Sequence, residues 1–196
     1  MRILRSLGLS AVLLTLCASA ASATPISYTH TGFGSGTLDG VLFGAAAPIA
    51  FTINATSDTT TLQNCGVGCL SNDNTSASIT IQGLGTFTFI TPTRYFENVG
   101  VVGFSRAGLG GSDLFNGPAL SGWDMISSIG PIVGTANLFQ WSTTPVNTSG
   151  GVLFFNPSTT ASTFTATVGA QAVPEPASLL LIGTGLVGLA RRFRRE

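Results

Sequence analysis

Few residues in this chain carry side chains suited to chemistry, and their spacing narrows what they can do. Cys65 and Cys69 sit in Cys-Gly-Val-Gly-Cys. If the ends of the chain direct this body to an oxidising compartment, two thiols this close are expected to form a disulfide, since the glycines between them let the loop close. The chain-entropy stabilisation for so small a loop is about 2 kcal/mol. A zinc site needs about four ligands, and His30 is the one histidine in the chain, so no metal is expected at the pair. The spacing exceeds that of redox dithiols and no cation lies beside it, so a redox role is not expected either. His30 is also the single histidine available as a base, yet no serine carries a nucleophile-elbow pattern and nothing marks a triad. A surface or packed histidine is the expectation.

The remaining candidates are carboxylates, amides and aromatic rings. Between the two ends, Asp39, Asp58, Asp73, Glu97, Asp113 and Asp124 stand against Arg94 and Arg106, with no lysine. A glycosidase needs two carboxylates flanking a sugar bond, and no pair among these six is singled out by sequence. Two arginines cannot neutralise a phosphate backbone, which excludes nucleic acid as a partner. Asn72, Asp73 and Asn74 have the oxygen chemistry of calcium ligands, but Ser71-Asn72-Asp73-Asn74 reads as an ordinary polar turn. Trp123, Trp141, Tyr28 and Tyr95 could stack on sugar rings if exposed; burial in the core is the expectation. The sequons at Asn54, Asn74 and Asn147 receive no role. No cofactor is expected, and the chain is not expected to be an enzyme.

The elements that must position these residues are strands. Phe51, Ile53 and Ala55 alternate with Thr52, Asn54 and Thr56; Ile79 and Ile81 with Thr80 and Gln82; Phe87 and Phe89 with Thr86 and Thr88; Phe164, Ala166 and Val168 with Thr163, Thr165 and Thr167. Period-two alternation marks half-buried strands. Further strands are expected over 36–43, 98–104, 138–142 and 152–155, the last apolar on both faces and therefore central. Turns are expected at Gly108-Leu109-Gly110-Gly111, Asn116-Gly117-Pro118 and Ser149-Gly150-Gly151. The stretch from Leu120 to Ile129 fits both periods and is read as strand. The fold class is all-β, an antiparallel β-sandwich or jelly roll, with no solenoid repeat. The threonines at 163, 165 and 167 read as one strand's solvent face, and no repeated array supports an ice-binding reading.

The two ends differ from this body. Arg2 and Arg5, an apolar stretch from Leu7 to Leu16, and small residues ending at Ala21-Ser22-Ala23 read as a secretory signal peptide, cut by signal peptidase before Thr24. Leu16 before Cys17 disfavours a lipoprotein signal. At the other end, an apolar run from Ala177 to Ala190 lies between Pro176 and the cluster Arg191, Arg192, Arg194 and Arg195. A helix there reaches about 21 Å, short of the roughly 30 Å hydrocarbon core, so it spans only with snorkelling arginines and a thinned bilayer. The arginines then lie on the cytoplasmic side, and Val173-Pro174-Glu175-Pro176 sits outside, held extended by its prolines.

Pro174-Glu175-Pro176, the apolar run and the arginine cluster together resemble the PEP-CTERM sorting signal of Gram-negative bacteria, also called the ice-binding protein C-terminal domain. The resemblance implies recognition by an exosortase that cuts near the motif, in species that make exopolysaccharide. More weakly, the body is similar to small PEP-CTERM proteins in its Gly-Thr-Leu-Asp-Gly over 36–40, Gly-Phe-Ser over 103–105, Trp123-Asp124 followed by Ile129-Gly130-Pro131, and Thr-Phe-Thr-Ala-Thr over 163–167. Such bodies carry no assigned chemistry.

The expected organisation is a signal peptide over 1–23, a β domain over 24–169, and a linker with the sorting signal over 170–196. The functional expectation is an exported surface or extracellular-matrix protein, transiently anchored in the membrane and sorted by exosortase, with a structural or carbohydrate-associating body and exopolysaccharide as candidate partner. The rival expectations are an extracellular hydrolase acting through acidic residues and a permanently tail-anchored membrane protein.

Overall fold

Alternating Thr or Ser with Ile, Phe or Ala gives a chain that cannot bury all its side chains but can bury every second one, which an extended strand does. In the computed structural model, which describes residues 24–169 apart from Leu109, Gly110 and Ser121, this pattern produces fourteen strands. They are β1 Pro25–Gly34, β2 Gly36–Leu38, β3 Val41–Phe43, β4 Ile49–Asp58, β5 Gln63–Gly66, β6 Cys69–Ile81 and β7 Gly85–Thr88. The second half of the chain adds β8 Thr93–Asn98, β9 Val101–Arg106, β10 Asp113–Ala119, β11 Ile129–Leu138, β12 Val146–Thr148, β13 Gly151–Phe155 and β14 Ser158–Val168.

Eight of them close into an antiparallel barrel in the order β4, β1, β14, β11, β10, β9, β8, β6, with β6 returning to β4. Closure depends on the length of β6. Its first half, Cys69 to Asp73, pairs with β8, and its second half, Asn74 to Ile81, pairs with β4. The strands β5 and β7 extend β6 outside the ring. A second sheet runs β12, β13, β2, β3, and β1 reaches it directly through Ser35.

The all-β antiparallel class stands, while the two-layer sandwich or jelly roll is corrected to a closed barrel with a small appended sheet. A sandwich would leave β4 and β6 as exposed edges; pairing them removes two such edges. An eight-stranded barrel has an interior just wide enough for side chains, and here aromatic rings fill it. Tyr28, Tyr95, Phe51, Phe104, Phe115 and Phe164 are all fully buried. The small sheet joins this core where β1 leaves the barrel. The Phe155 ring lies 4.9 Å from Phe51, 4.8 Å from Trp141 and 5.2 Å from Phe43. Gly34 leaves room for it, since a Cβ there would come within 2.7 Å of Phe155.

Several expected elements are redrawn. Residues 36–43 form a hairpin rather than one strand, with Asp39 and Gly40 both at positive φ, the two-residue Asp-Gly turn. Residues 98–104 break at Val99 and Gly100, where the Glu97 carboxylate accepts the Gly100 N–H at 2.7 Å. Ser71 to Asn74 lie inside β6 and not in a turn, because buried Asn72 finds partners: its Nδ2 donates to the Asp58 carbonyl and its Oδ1 accepts from Thr61. Asn116-Gly117-Pro118 lies within an irregular stretch of β10. The strand expected over 138–142 ends at Leu138 and gives way to a 3-10 turn over Gln140–Ser142. Residues 122–128 contain no strand; Asp124 instead accepts the Ile126 and Ser127 N–H groups, and strand begins at Ile129. The strand over 152–155 is central in the small sheet, paired with β12 and β2, although Val152 is exposed.

Candidate functional site

The residues proposed from sequence for chemistry separate into four places. The signal-peptide residues up to Ala23 with its cleavage residues Ala21 and Ala23, the motif Val173-Pro174-Glu175-Pro176, the apolar run and Arg191, Arg192, Arg194 and Arg195 lie outside the described residues. Thr24 begins the described chain, and its carbonyl accepts from Thr59.

Cys65 and Cys69 are joined by a disulfide with Cα atoms 5.1 Å apart. The bond closes the tip of the β5–β6 hairpin, where Val67 is fully exposed, and Gly66 and Gly68 take the positive φ values the tight loop requires.

His30 is packed in the barrel interior. Its ring centroid is 4.3 Å from Phe115, 5.5 Å from Phe164 and 6.1 Å from Tyr95. Both ring nitrogens lack hydrogen-bond partners. Burial in this apolar surround pushes its pKa down to about 3, with the Gly117 backbone opposing the shift weakly. His30 is therefore neutral across the physiological range and has neither a serine nor a carboxylate within bonding geometry. The Tyr28 and Tyr95 rings lie 4.4 Å apart with both hydroxyls buried and unpartnered. Burial raises Tyr28 to about 12, against a smaller lowering influence of Ser57 and Asn72, and burial together with the neighbouring Tyr28 raises Tyr95 well above its usual value. Trp123 and Trp141 are buried too, each donating its indole N–H to a backbone carbonyl. The four aromatic residues considered for sugar stacking are thus core.

Four of the six body carboxylates, Asp58, Glu97, Asp113 and Asp124, accept hydrogen bonds from nearby groups. Asp58 accepts from the Thr60 N–H and hydroxyl, which lower its pKa. Asp124 accepts from Ser127 and Ile126 and is lowered likewise. Asp113 accepts from Asn116 Nδ2. Among the described residues no three His, Cys, Asp or Glu side chains gather as a metal site.

The outer face is where uncharged polar chemistry collects. Strand register aligns Thr165, Thr29, Asn54, Ser78 and Thr88 in one row and Thr163, Thr31, Thr52, Thr80 and Thr86 in the next. The threonines at 163, 165 and 167, read from sequence as one strand's face, thus continue across β1, β4, β6 and β7. Many of these groups pair among themselves, as Thr29 with Asn54 at 3.1 Å and Thr80 with Thr86 at 2.8 Å.

A pocket opens elsewhere on the outer surface, where β10, β11 and the β13–β14 turn meet. Asn116 and Asn137 face each other across β10 and β11, and Asn137 faces Thr159 across β11 and β14. Phe139, two residues beyond Asn137, is 56% exposed and lines the pocket with Pro157 and Ser158. Sequence reasoning did not single out Phe139 or Asn137. The signal was present, since Leu138 points inward and the alternation sends both neighbours out.

These features define a sparsely charged all-β body with polar outer surfaces, joined to a tail that carries its own instruction. The family model for the PEP-CTERM protein-sorting motif matches residues 172–195, and that motif implies export to the cell envelope with exosortase as the processing partner. Nothing among curated proteins or solved structures matches the chain.

Proposed function

We propose that this is an exported, non-enzymatic component of the bacterial cell surface or extracellular matrix, delivered by exosortase, whose body associates with polysaccharide or serves as structure. The observation that carries the reading is the sorting motif at residues 172–195. In this account signal peptidase removes residues 1–23, the apolar run 177–190 holds the chain in the membrane transiently with Arg191 to Arg195 inside, and exosortase cuts near Val173 to Pro176. The mature domain is then residues 24 to about 170. Its support is chemical: burial of His30 and local hydrogen bonding of four of the six carboxylates leave few groups for catalysis, while hydroxyl and amide side chains on the outer face suit a hydrated, neutral matrix.

The test is intact mass of the mature protein from membrane and medium fractions of producing cells, with the Glu175→Ala variant beside it. The expected result is loss of everything beyond the Val173 to Pro176 region in the parent and retention of the tail in the variant. An intact Glu196 in the membrane fraction of the parent would make the tail a lasting anchor and overturn the reading.

A further inference from the structure

The geometry points to the pocket beside Phe139 as a binding site for a neutral sugar unit, an inference that rests on the carbohydrate-associating reading and gives it a location.

Three observations converge there. First, Phe139 and Phe33 are the exposed aromatic rings among the described residues, at 56% and 48%, while every Trp and Tyr is buried. An exposed phenyl ring at the wall of a concavity offers a flat apolar face, and the axial C–H groups of a pyranose match such a face. The Pro157 ring lies on the same pocket.

Second, polar groups beside that ring have capacity to spare. Thr159 Oγ donates to Asn137 Oδ1 at 2.7 Å, so the Asn137 Nδ2 donors are left for another acceptor. Asn116 Nδ2 donates to Asp113 at 3.2 Å, which fixes its amide orientation, and its Oδ1 is buried without a partner. That oxygen is closed to solvent, so the amide donors open to a ligand here are those of Asn137 Nδ2. Ser158 adds a hydroxyl at the rim. Amide and hydroxyl groups beside one apolar face are the complement of a sugar, which presents hydroxyls around its edge.

Third, no charged side chain lines the pocket, and the two arginines of the body lie on β8 and β9. A uronate or sulfated unit would enter with its charge uncompensated, which disfavours it. The ligand class is therefore neutral. The hydroxyl rows across β14, β1, β4, β6 and β7 are a weaker candidate, because they carry no exposed aromatic ring within the rows and part of their capacity is spent on one another.

The experiment is calorimetric titration of the exported protein with oligosaccharides prepared from the neutral and the uronate-bearing exopolysaccharide fractions of producing cells. Phe139→Ala and Asn137→Ala are compared with Thr29→Val, which alters the hydroxyl face and leaves the pocket intact; circular dichroism verifies each fold. The expected result is binding of the neutral fraction, weakened tenfold or more by either pocket variant and unchanged by Thr29→Val. Parent-like binding by both pocket variants overturns the pocket while leaving the carbohydrate reading in place. Preference for the uronate fraction overturns the neutral class. Binding of neither fraction by the parent overturns the carbohydrate reading and the pocket together.

Discussion

Replacing His30 by leucine tests whether the barrel interior is as apolar as its packing indicates. The imidazole is fully buried and both nitrogens are unpartnered, so removing it deletes two unsatisfied polar atoms and no hydrogen bond. At pH 7.5 the change in stability is expected to be small, since leucine is close in volume and apolar. The difference lies in pH dependence. Folding lowers the His30 pKa from 6.5 to about 3, so between these values the unfolded chain binds a proton that the folded protein excludes. Stability is then complete above pH 6.5 and falls as the pH drops through that window. Two pH units below the unfolded pKa, at pH 4.5, the loss is about 2.7 kcal/mol at about 1.36 kcal/mol per unit. With a urea slope of about 2 kcal/mol per molar, the midpoint falls by more than about 1 M. Asp58 and Asp124, whose carboxyls are lowered by their hydrogen bonds, also lose stabilisation on acidification, but equally in both proteins. The assay is urea unfolding of parent and His30→Leu at pH 7.5 and 4.5. The expected result is a parent midpoint that drops further than the variant's by that margin. Parallel drops would refute a neutral, solvent-excluded imidazole and with it this account of the core.

Two further perturbations probe how the barrel is assembled. In Gly103→Ala the new Cβ collides with the Phe96 ring lying across the glycine on the neighbouring strand; a loss of about 1–3 kcal/mol is expected. Adding Phe96→Ala should recover part of it, a non-additivity that paired denaturation curves measure. Replacing Cys65 and Cys69 together by serine should lower stability by about 2 kcal/mol while leaving the far-ultraviolet circular dichroism unchanged, because the bond closes an exposed hairpin tip outside the barrel.

How much of this was legible in the sequence follows from which interactions are local. Strands β4 and β14 were legible because their alternation is unbroken, and the inward set, Phe51, Ile53, Ala55, Phe164 and Ala166, is the set the barrel buries. The first half of β6 was not, because Asn72 looks like a turn residue until Thr61 and the Asp58 carbonyl, 11 and 14 residues earlier in the chain, satisfy its amide. The break at Val99 had no local signal either: a β-branched residue at φ 48 is disfavoured, and it is tolerated where the Glu97 carboxylate secures the turn. Closure is less local still. Periodicity says which side of a strand is buried and nothing about which strand lies beside it, so a sandwich and a barrel read alike. The deciding contact is the pairing of β4 with the second half of β6 while the first half pairs with β8, a division of one long strand that no window of the sequence displays. The sorting tail is the opposite case. An exosortase reads an extended motif, an apolar run and a basic end in order along the chain, so the information is linear and a sequence alone exposes it. The sugar pocket falls between the two. Phe139 is locally an outward residue at a strand end, but its significance appears only when β10 and β14 bring Asn116 and Thr159 alongside Asn137.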